Sequence, residues 1–228
     1  MASPIPNPRY ERKLVCEALD LPEVLAMVRR HPALFREAYP ARTVNNIYLD
    51  SPDLADYRAH VSGVAQRTKT RIRWYGPWSG VNLAATLEGK LKLGLVSGKE
   101  SFRLPALALN GGLLVPALKA ALEAADLPPR WRLALAHRQP SLLSRYQRHY
   151  FQSADRRFRL TVDSGLQFAP ARPAGIAAAS FGAPLPRVVL ELKYGPAEAD
   201  CAATITNALP FRLARCSKYV VGIDSLKP

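Results

Sequence analysis

A chain of 228 residues, 48% of them hydrophobic, has apolar material for one sizeable core and does not need two domains. Its 32 Lys+Arg against 18 Asp+Glu leave a formal charge of +14, a field that draws polyanions such as nucleic acid, anionic membrane or phosphorylated small molecules. There is no apolar run near the ~18 residues of a membrane span, no apolar secretory core at the N-terminus, and no CxxC or histidine partner for Cys16, Cys201 or Cys216, so neither a transmembrane helix, a disulfide framework nor a zinc site is indicated and a soluble, cytoplasmic protein is expected.

In chain order, residues 9–17 read as a strand after a proline-containing lead-in. Asp20 can cap a helix over 20–31, where Leu21, Val24, Leu25 and Val28 share a face. A strand at 43–50 precedes a short helix that starts at Ser51 or Asp53 and reaches about His60, and a long strand at 66–75 ends at Gly76-Pro77. Strands near 83–92 and 99–104 flank a turn from Gly94 to Gly98. Helices at 113–125 and 129–136 lead to strands at 142–152, 156–163 and 187–194, the first pair joined at 153–155. The Ala-, Pro- and Gly-rich stretch 170–186 reads as a loop, and helices near 198–208 and 217–225 close the chain. Many strands with a few interposed helices predict a single α+β domain over 1–228, built on a mainly antiparallel sheet.

The strands alternate in an unusual way. In 66–75, Arg67, Lys69, Arg71, Arg73 and Tyr75 share one face and Thr68, Thr70, Ile72 and Trp74 the other. Glu88, Lys90 and Lys92 oppose Leu87, Leu91 and Leu93; Glu191 and Lys193 oppose Leu190, Leu192 and Tyr194. Arg157, Arg159, Thr161 and Asp163 oppose Phe158, Leu160 and Val162, while Arg9, Glu11 and Lys13 alternate with Tyr10, Arg12 and Leu14. A sandwich with a solvated charged outside would produce such strands, but its decoration would mix signs, whereas these faces are mostly cationic with single carboxylates. Closing the sheet into a barrel turns the charged faces inward, leaves the apolar faces for helices and removes edge strands. A pore so lined requires a polyanion: phosphate oxygens for Lys and Arg, and Mg²⁺ or Mn²⁺ for the carboxylates.

At these segments the sequence resembles the VTC domain, the polyphosphate polymerase branch of the CYTH-like triphosphate tunnel metalloenzymes. The matching stretches are RYERK (9–13), NIYLD (46–50), RTKTRIRWY (67–75), LEGK (87–90) with Lys99, YQR (146–148), LELKY (190–194) and RCSKY (215–219), in the family's order from end to end. The resemblance implies an antiparallel eight-stranded β-tunnel, closed as a barrel, with helices outside. It places triphosphate-binding bases on Lys13, Arg71, Arg73, Lys90, Lys99, Arg148 and Lys218, with Tyr146, Arg215 and Ser217 adjacent, and a metal-binding glutamate on Glu191 with Glu11 and Glu88 in support. The alternation adds Lys69, Arg159 and Lys193 to the substrate-binding candidates. Arg9 stands where the first Glu of the ExExK signature would be, as in the polymerase branch, which weakens the case for a two-metal hydrolase. Nothing in the chain matches the SPX domain or membrane segments of the eukaryotic complexes, so phosphate sensing and translocation are not carried over.

The resemblance thus implies Mn²⁺- or Mg²⁺-dependent phosphoryl transfer from ATP or another triphosphate to polyphosphate, with no membrane partner. A tripolyphosphatase or nucleoside triphosphatase using water, and a non-catalytic polyphosphate- or RNA-binding module, remain as alternatives; nucleic acid is the weaker partner. The segment Gly94 to Glu100 is one residue short of phosphate-loop spacing and has Glu where Ser or Thr is required after the lysine. His31, His60, His137 and His149 have no metal-ligand spacing.

Overall fold

A computed structural model describes residues 9–94, 96–105, 107–109, 114–171 and 181–227. The elements are β1 (Tyr10–Cys16), α1 (Leu21–Arg29), β2 (Arg36–Asp50), α2 (Ala55–Val61), β3 (Gln66–Tyr75), β4 (Gly80–Leu83), β5 (Thr86–Leu93), β6 (Val96–Arg103) and β7 (Leu107–Leu109). They continue with α3 (Leu114–Glu123), α4 (Pro129–Ala136), β8 (Gln139–Gln152), β9 (Arg159–Pro170), β10 (Val188–Tyr194), α5 (Ala202–Asn207), β11 (Arg212–Leu213) and α6 (Lys218–Ser225).

Nine strands form one sheet in the order β11-β1-β10-β9-β8-β2-β3-β5-β6, and β4 and β7 form a separate pair. Every pairing is antiparallel. The expected eight strands become nine because the two-residue β11 attaches to β1 at Leu14 and Val15. The far end of β1 meets β6 at one isolated antiparallel bridge, Arg9 with Ser97, and no β1–β6 ladder is present among the described residues.

Three boundaries differ from expectation for local reasons. β2 begins at Arg36, not 43, since its first half pairs only with β8, through two bulges that accommodate Pro40; β3 joins only from Val44. β9 starts at Arg159 after a turn in which Arg156 is left-handed (φ 61), and it runs on to Pro170 past Gly165 at φ 60, beside a register shift against β8. Leu93 already pairs with Val96, so the turn expected from Gly94 to Gly98 is tighter. In the expected loop 170–186, residues 172–180 lie outside the described residues.

The sheet's two faces carry different chemistry. One outer core packs Ile72, Trp74, Leu87, Ile47 and Leu143 against Leu114, Leu118 and Ala121 of α3. A second packs Leu14, Leu160, Val162, Leu190 and Leu192 against Val24, Leu25 and Val28 of α1. That helix starts on the Asp20–Glu23 capping box, with bonds of 2.9 and 2.8 Å. The inner face has a small core of its own, where Tyr48, Leu142, Tyr146 and Phe168 meet Tyr219 and Ile223 of α6. Gly222 permits that approach: a Cβ there would fall 2.4 Å from Leu142 and 2.5 Å from Phe168. No helix among the described residues is long and apolar enough to cross a membrane.

Candidate functional site

Beyond the α6 plug, the inner face encloses a cavity of about 400 Å³ lined by ten cationic side chains and two carboxylates. Strand register places them. Lys13 on β1 lies opposite Glu191 on β10, and Glu11 opposite Lys193. Arg71 on β3 lies opposite Glu88 on β5 and Tyr48 on β2; Lys90 lies between Lys69 and Lys99. Arg148 on β8 lies opposite Asp163 on β9. Lys218 comes from the first turn of α6, whose N-cap Ser217 accepts hydrogen bonds from the Val220 amide (3.3 Å) and the Lys69 ammonium (2.7 Å).

The cations are held in place by carboxylates behind them. Arg71 donates from Nε and Nη2 to Glu88 Oε2 at 2.9 and 2.7 Å, and Lys99 reaches Glu88 Oε1 at 2.9 Å. Arg148 makes a two-pronged pair with Asp163 at 2.6 and 2.7 Å, and Lys218 reaches the same carboxylate at 2.5 Å. Arg73 donates to Asn46 Oδ1 (2.9 Å) and to the Tyr146 hydroxyl (3.0 Å). Lys218 Nζ lies 4.9 Å from the Tyr146 ring centre.

Ionisation follows from this crowding. Burial opposes the charged form of Asp163, but Arg148 and Lys218 overcome it and hold the carboxyl at about 2. Glu191 behaves alike: burial is outweighed by Lys193, Lys13 and Lys90, and its carboxyl titrates well below the usual range. Lys69 goes the other way. Burial first, then Lys13, Lys90 and Arg71, push its ammonium well below the ordinary lysine value. Lys90 is lowered by burial and Lys13 despite Glu11, while Lys13 is raised because Glu191 and Glu11 outweigh its burial.

The site residues expected from sequence divide into three groups. Lys13, Lys69, Arg71, Arg73, Lys90, Lys99, Tyr146, Arg148, Lys193, Ser217 and Lys218 line the cavity, as do Glu11 and Glu191. Arg159 and Arg215 are exposed and outside its lining. Glu88, expected as a supporting metal carboxylate, is also outside the lining and serves as counter-ion to Arg71, Arg73 and Lys99. Sequence reasoning did not single out Tyr10, Tyr48, Ser97, Gly98 or Tyr219, nor the buried Asp163 and Asn46 behind the cations. Asp163 carried a usable signal, since it shares the inward parity of Thr161.

Glu11 and Glu191 are the carboxylates available to a divalent cation. Glu11 Oε1 is buried and makes no well-formed hydrogen bond, with Lys13 Nζ 3.3 Å away as an ion-pair neighbour, while Lys90 holds Oε2. Glu191 is contacted by Lys193 at 2.6 Å and Lys13 at 3.6 Å. No group of three or more His, Cys, Asp or Glu among the described residues forms an all-protein metal cage. One or two carboxylates with the rest of the sphere from phosphate and water is the donor set that Mg²⁺ and Mn²⁺ accept, so the residues fit.

A family model described as the VTC domain matches residues 8–227. A candidate adenylate cyclase from Vibrio parahaemolyticus shares the fold at 12% identity, with a TM-score of 0.51 over 93% of this chain and 97% of that one. A candidate adenylyl cyclase from Hippeastrum does so at 13% identity, with a TM-score of 0.54 over 97% of this chain and 96% of that one. No curated protein sequence matches the chain.

Proposed function

The chain belongs to the VTC domain family, and from that premise we propose that the cavity grips the triphosphate of ATP, or another linear triphosphate, and passes its terminal phosphoryl group to a growing polyphosphate chain. The observation that carries this reading is that ten cations line one cavity of about 400 Å³ with two carboxylates, and still outnumber the acids when Glu88 and Asp163 behind them are added. Like charges so placed repel one another until a polyanion neutralises them. A nucleic-acid module would instead spread its bases over an open face.

Phosphoryl transfer depends chiefly on positioning and on stabilising charge. Arg71, Arg73 and Arg148 present guanidinium groups already oriented by Glu88, Asn46 and Asp163, so their donors need little reorganisation as charge develops. Lys90 and Lys218 add point charges, and Tyr146 fixes Arg73 through its hydroxyl. A terminal phosphate oxygen of the acceptor chain attacks the γ-phosphorus in line; the bond to the bridging oxygen breaks, and the diphosphate leaves with that oxygen. Glu191 with Glu11 would hold Mg²⁺ or Mn²⁺, which when bound neutralises phosphate oxygens. The Arg9–Ser97 bridge is where β6 and β1 would meet to close a tunnel, along the part of β1's edge that β11, paired at Leu14 and Val15, leaves open.

Water as acceptor is the second reading, and it has a specific support: the Hippeastrum protein of like fold is described as having a dominant triphosphatase activity. Incubation with ATP and Mn²⁺, followed by gel staining for polyphosphate beside a free-phosphate assay, separates the two. Ladders of polyphosphate are expected; release of phosphate alone assigns the hydrolase, and neither product sinks both readings. Glu191→Gln should abolish turnover and leave tripolyphosphate binding largely intact, and full activity in that variant would refute the metal role.

A further inference from the structure

The cationic rows of the inner face do not stop where the cavity does. Lys69, Lys90 and Lys99 form one row across β3, β5 and β6 within the lining, and each is held in turn by Ser217, Glu11 and Glu88. One strand repeat farther on, about 7 Å along, Arg67 stands directly opposite Lys92. Like charges facing each other across a ladder destabilise it. Neither has an ion pair among the described residues, and the Arg67 Nε is buried without a hydrogen-bond partner. Burial and then Arg67 hold the Lys92 ammonium below its ordinary value, with Lys13 and Arg215 adding to the repulsion. Glu11, which opposes that shift, is already taken by Lys13 and Lys90. Arg215 is exposed, and its neighbours in the chain fix its place beside Lys13. The Ala214 amide donates to the Lys13 carbonyl at 3.0 Å, and the Cys216 carbonyl accepts from the Lys13 ammonium at 2.9 Å.

A solvated basic surface would leave each donor free to turn to water, and the Arg67 Nε has no water to turn to. A second anion accounts for the cluster. In-line displacement at phosphorus sets the attacking oxygen opposite the leaving one, so an acceptor approaches along the line of the bound triphosphate and not from its flank. The strands supply that line, since the cations of β3 run from Arg73 through Arg71 and Lys69 to Arg67. Resting on the triphosphate reading above, we propose that Arg67, Lys92 and Arg215 form an acceptor subsite for the end of a linear polyphosphate. An ionised terminal oxygen of that chain forms the new bond to the γ-phosphorus; the bond to the bridging oxygen breaks, and the donor's diphosphate part leaves with the electron pair toward the opposite end of the cavity. Water needs no such station, so the subsite favours chain growth over hydrolysis.

The test follows label from γ-labelled ATP into added short-chain polyphosphate, with Mn²⁺, in the full chain and in Arg67→Gln, Lys92→Gln and Lys92→Arg. Both positions are half-buried, and circular dichroism checks that the variants fold. Each Gln variant should raise the KM for polyphosphate about tenfold, as for a lost hydrogen bond to a charged group, and leave the KM for ATP at the wild-type value. Lys92→Arg should keep both. Calorimetry gives a reading without turnover. Short-chain polyphosphate should bind the wild-type chain already saturated with a non-hydrolysable ATP analogue, and bind the double Gln variant more weakly by about tenfold or more. Equal changes for ATP and polyphosphate, no change for either, or phosphate release without labelled chains would overturn the subsite and leave the triphosphate grip standing. Failure of the wild-type chain to bind the analogue would instead overturn the triphosphate reading, and the subsite with it.

Discussion

The Asp163 carboxylate accepts two hydrogen bonds from the Arg148 guanidinium, at 2.6 and 2.7 Å, and has no solvent exposure. The same carboxylate holds Lys218, so one buried acid aligns cations from a strand and a helix. Asp163→Asn leaves two buried positive charges without their counter-charge. Breaking such a pair costs about 3–5 kcal/mol, and chemical denaturation should record a loss of that order. Tripolyphosphate should restore part of it, because phosphate replaces the missing negative charge.

The same group sets an acid limit. Its folded value of about 2 lies below the ~3.9 of an unfolded aspartate, a difference of about 2–3 kcal/mol. For a depressed carboxyl the contribution is complete above the unfolded value and is lost as pH falls through the folded one. Stability should therefore decline between pH ~4 and ~2, and the Asn variant should lack that part of the decline. Identical acid profiles of the two proteins would contradict the assignment.

Lys69 makes an opposite prediction for binding. Its ammonium is depressed by burial and by Lys13, Lys90 and Arg71; a bound polyanion cancels that repulsion and draws a proton onto it. Tripolyphosphate binding should take up protons at pH values below the ordinary lysine range, and its affinity should fall as pH rises. Calorimetry in buffers of different ionisation heat measures the exchange, and proton release on binding would refute it.

Tyr219 anchors the helix that carries Lys218. Its hydroxyl donates to Asp50 Oδ2 at 2.5 Å, while Asp50 also accepts from the amides of Ser51, Asp56 and Tyr57 at 2.7–3.0 Å. Tyr219→Phe should cost about 1.5–3 kcal/mol, the range for a hydrogen bond to a charged group. Since α6 places Lys218 and Ser217 in the cavity, triphosphate should bind more weakly to that variant. Unchanged stability and unchanged binding together would show that α6 is held by its apolar face alone.

Most of the cavity was legible because a strand repeats every two residues. Arg71 and Arg73, or Glu191 and Lys193, share a face whatever the surrounding fold, and proper order of seven short motifs tied those faces together. What was not legible depended on other strands. Glu88 read like any carboxylate among lysines, yet its pairing opposite Arg71 makes it a counter-ion to three cations. Arg159 and Arg215 carried the same charge as their neighbours, but their places in β9 and before α6 leave them exposed, outside the cavity lining. The cluster of Arg42 with Tyr39, Tyr75 and Tyr150 draws on three strands, and β2 reaches it only through bulges around Pro40 that no period announces.

Period-two alternation by itself determined which side chains stand together, and the surplus of Arg and Lys determined that one face of the sheet would be costly without an anion. Only the tertiary structure decided that this face is the concave one, and which carboxylates stand behind the cations and which face the cavity. The physical reason is that inside and outside, and the partner opposite each charge, are properties of sheet curvature and strand register, which are set by contacts between segments far apart in the chain.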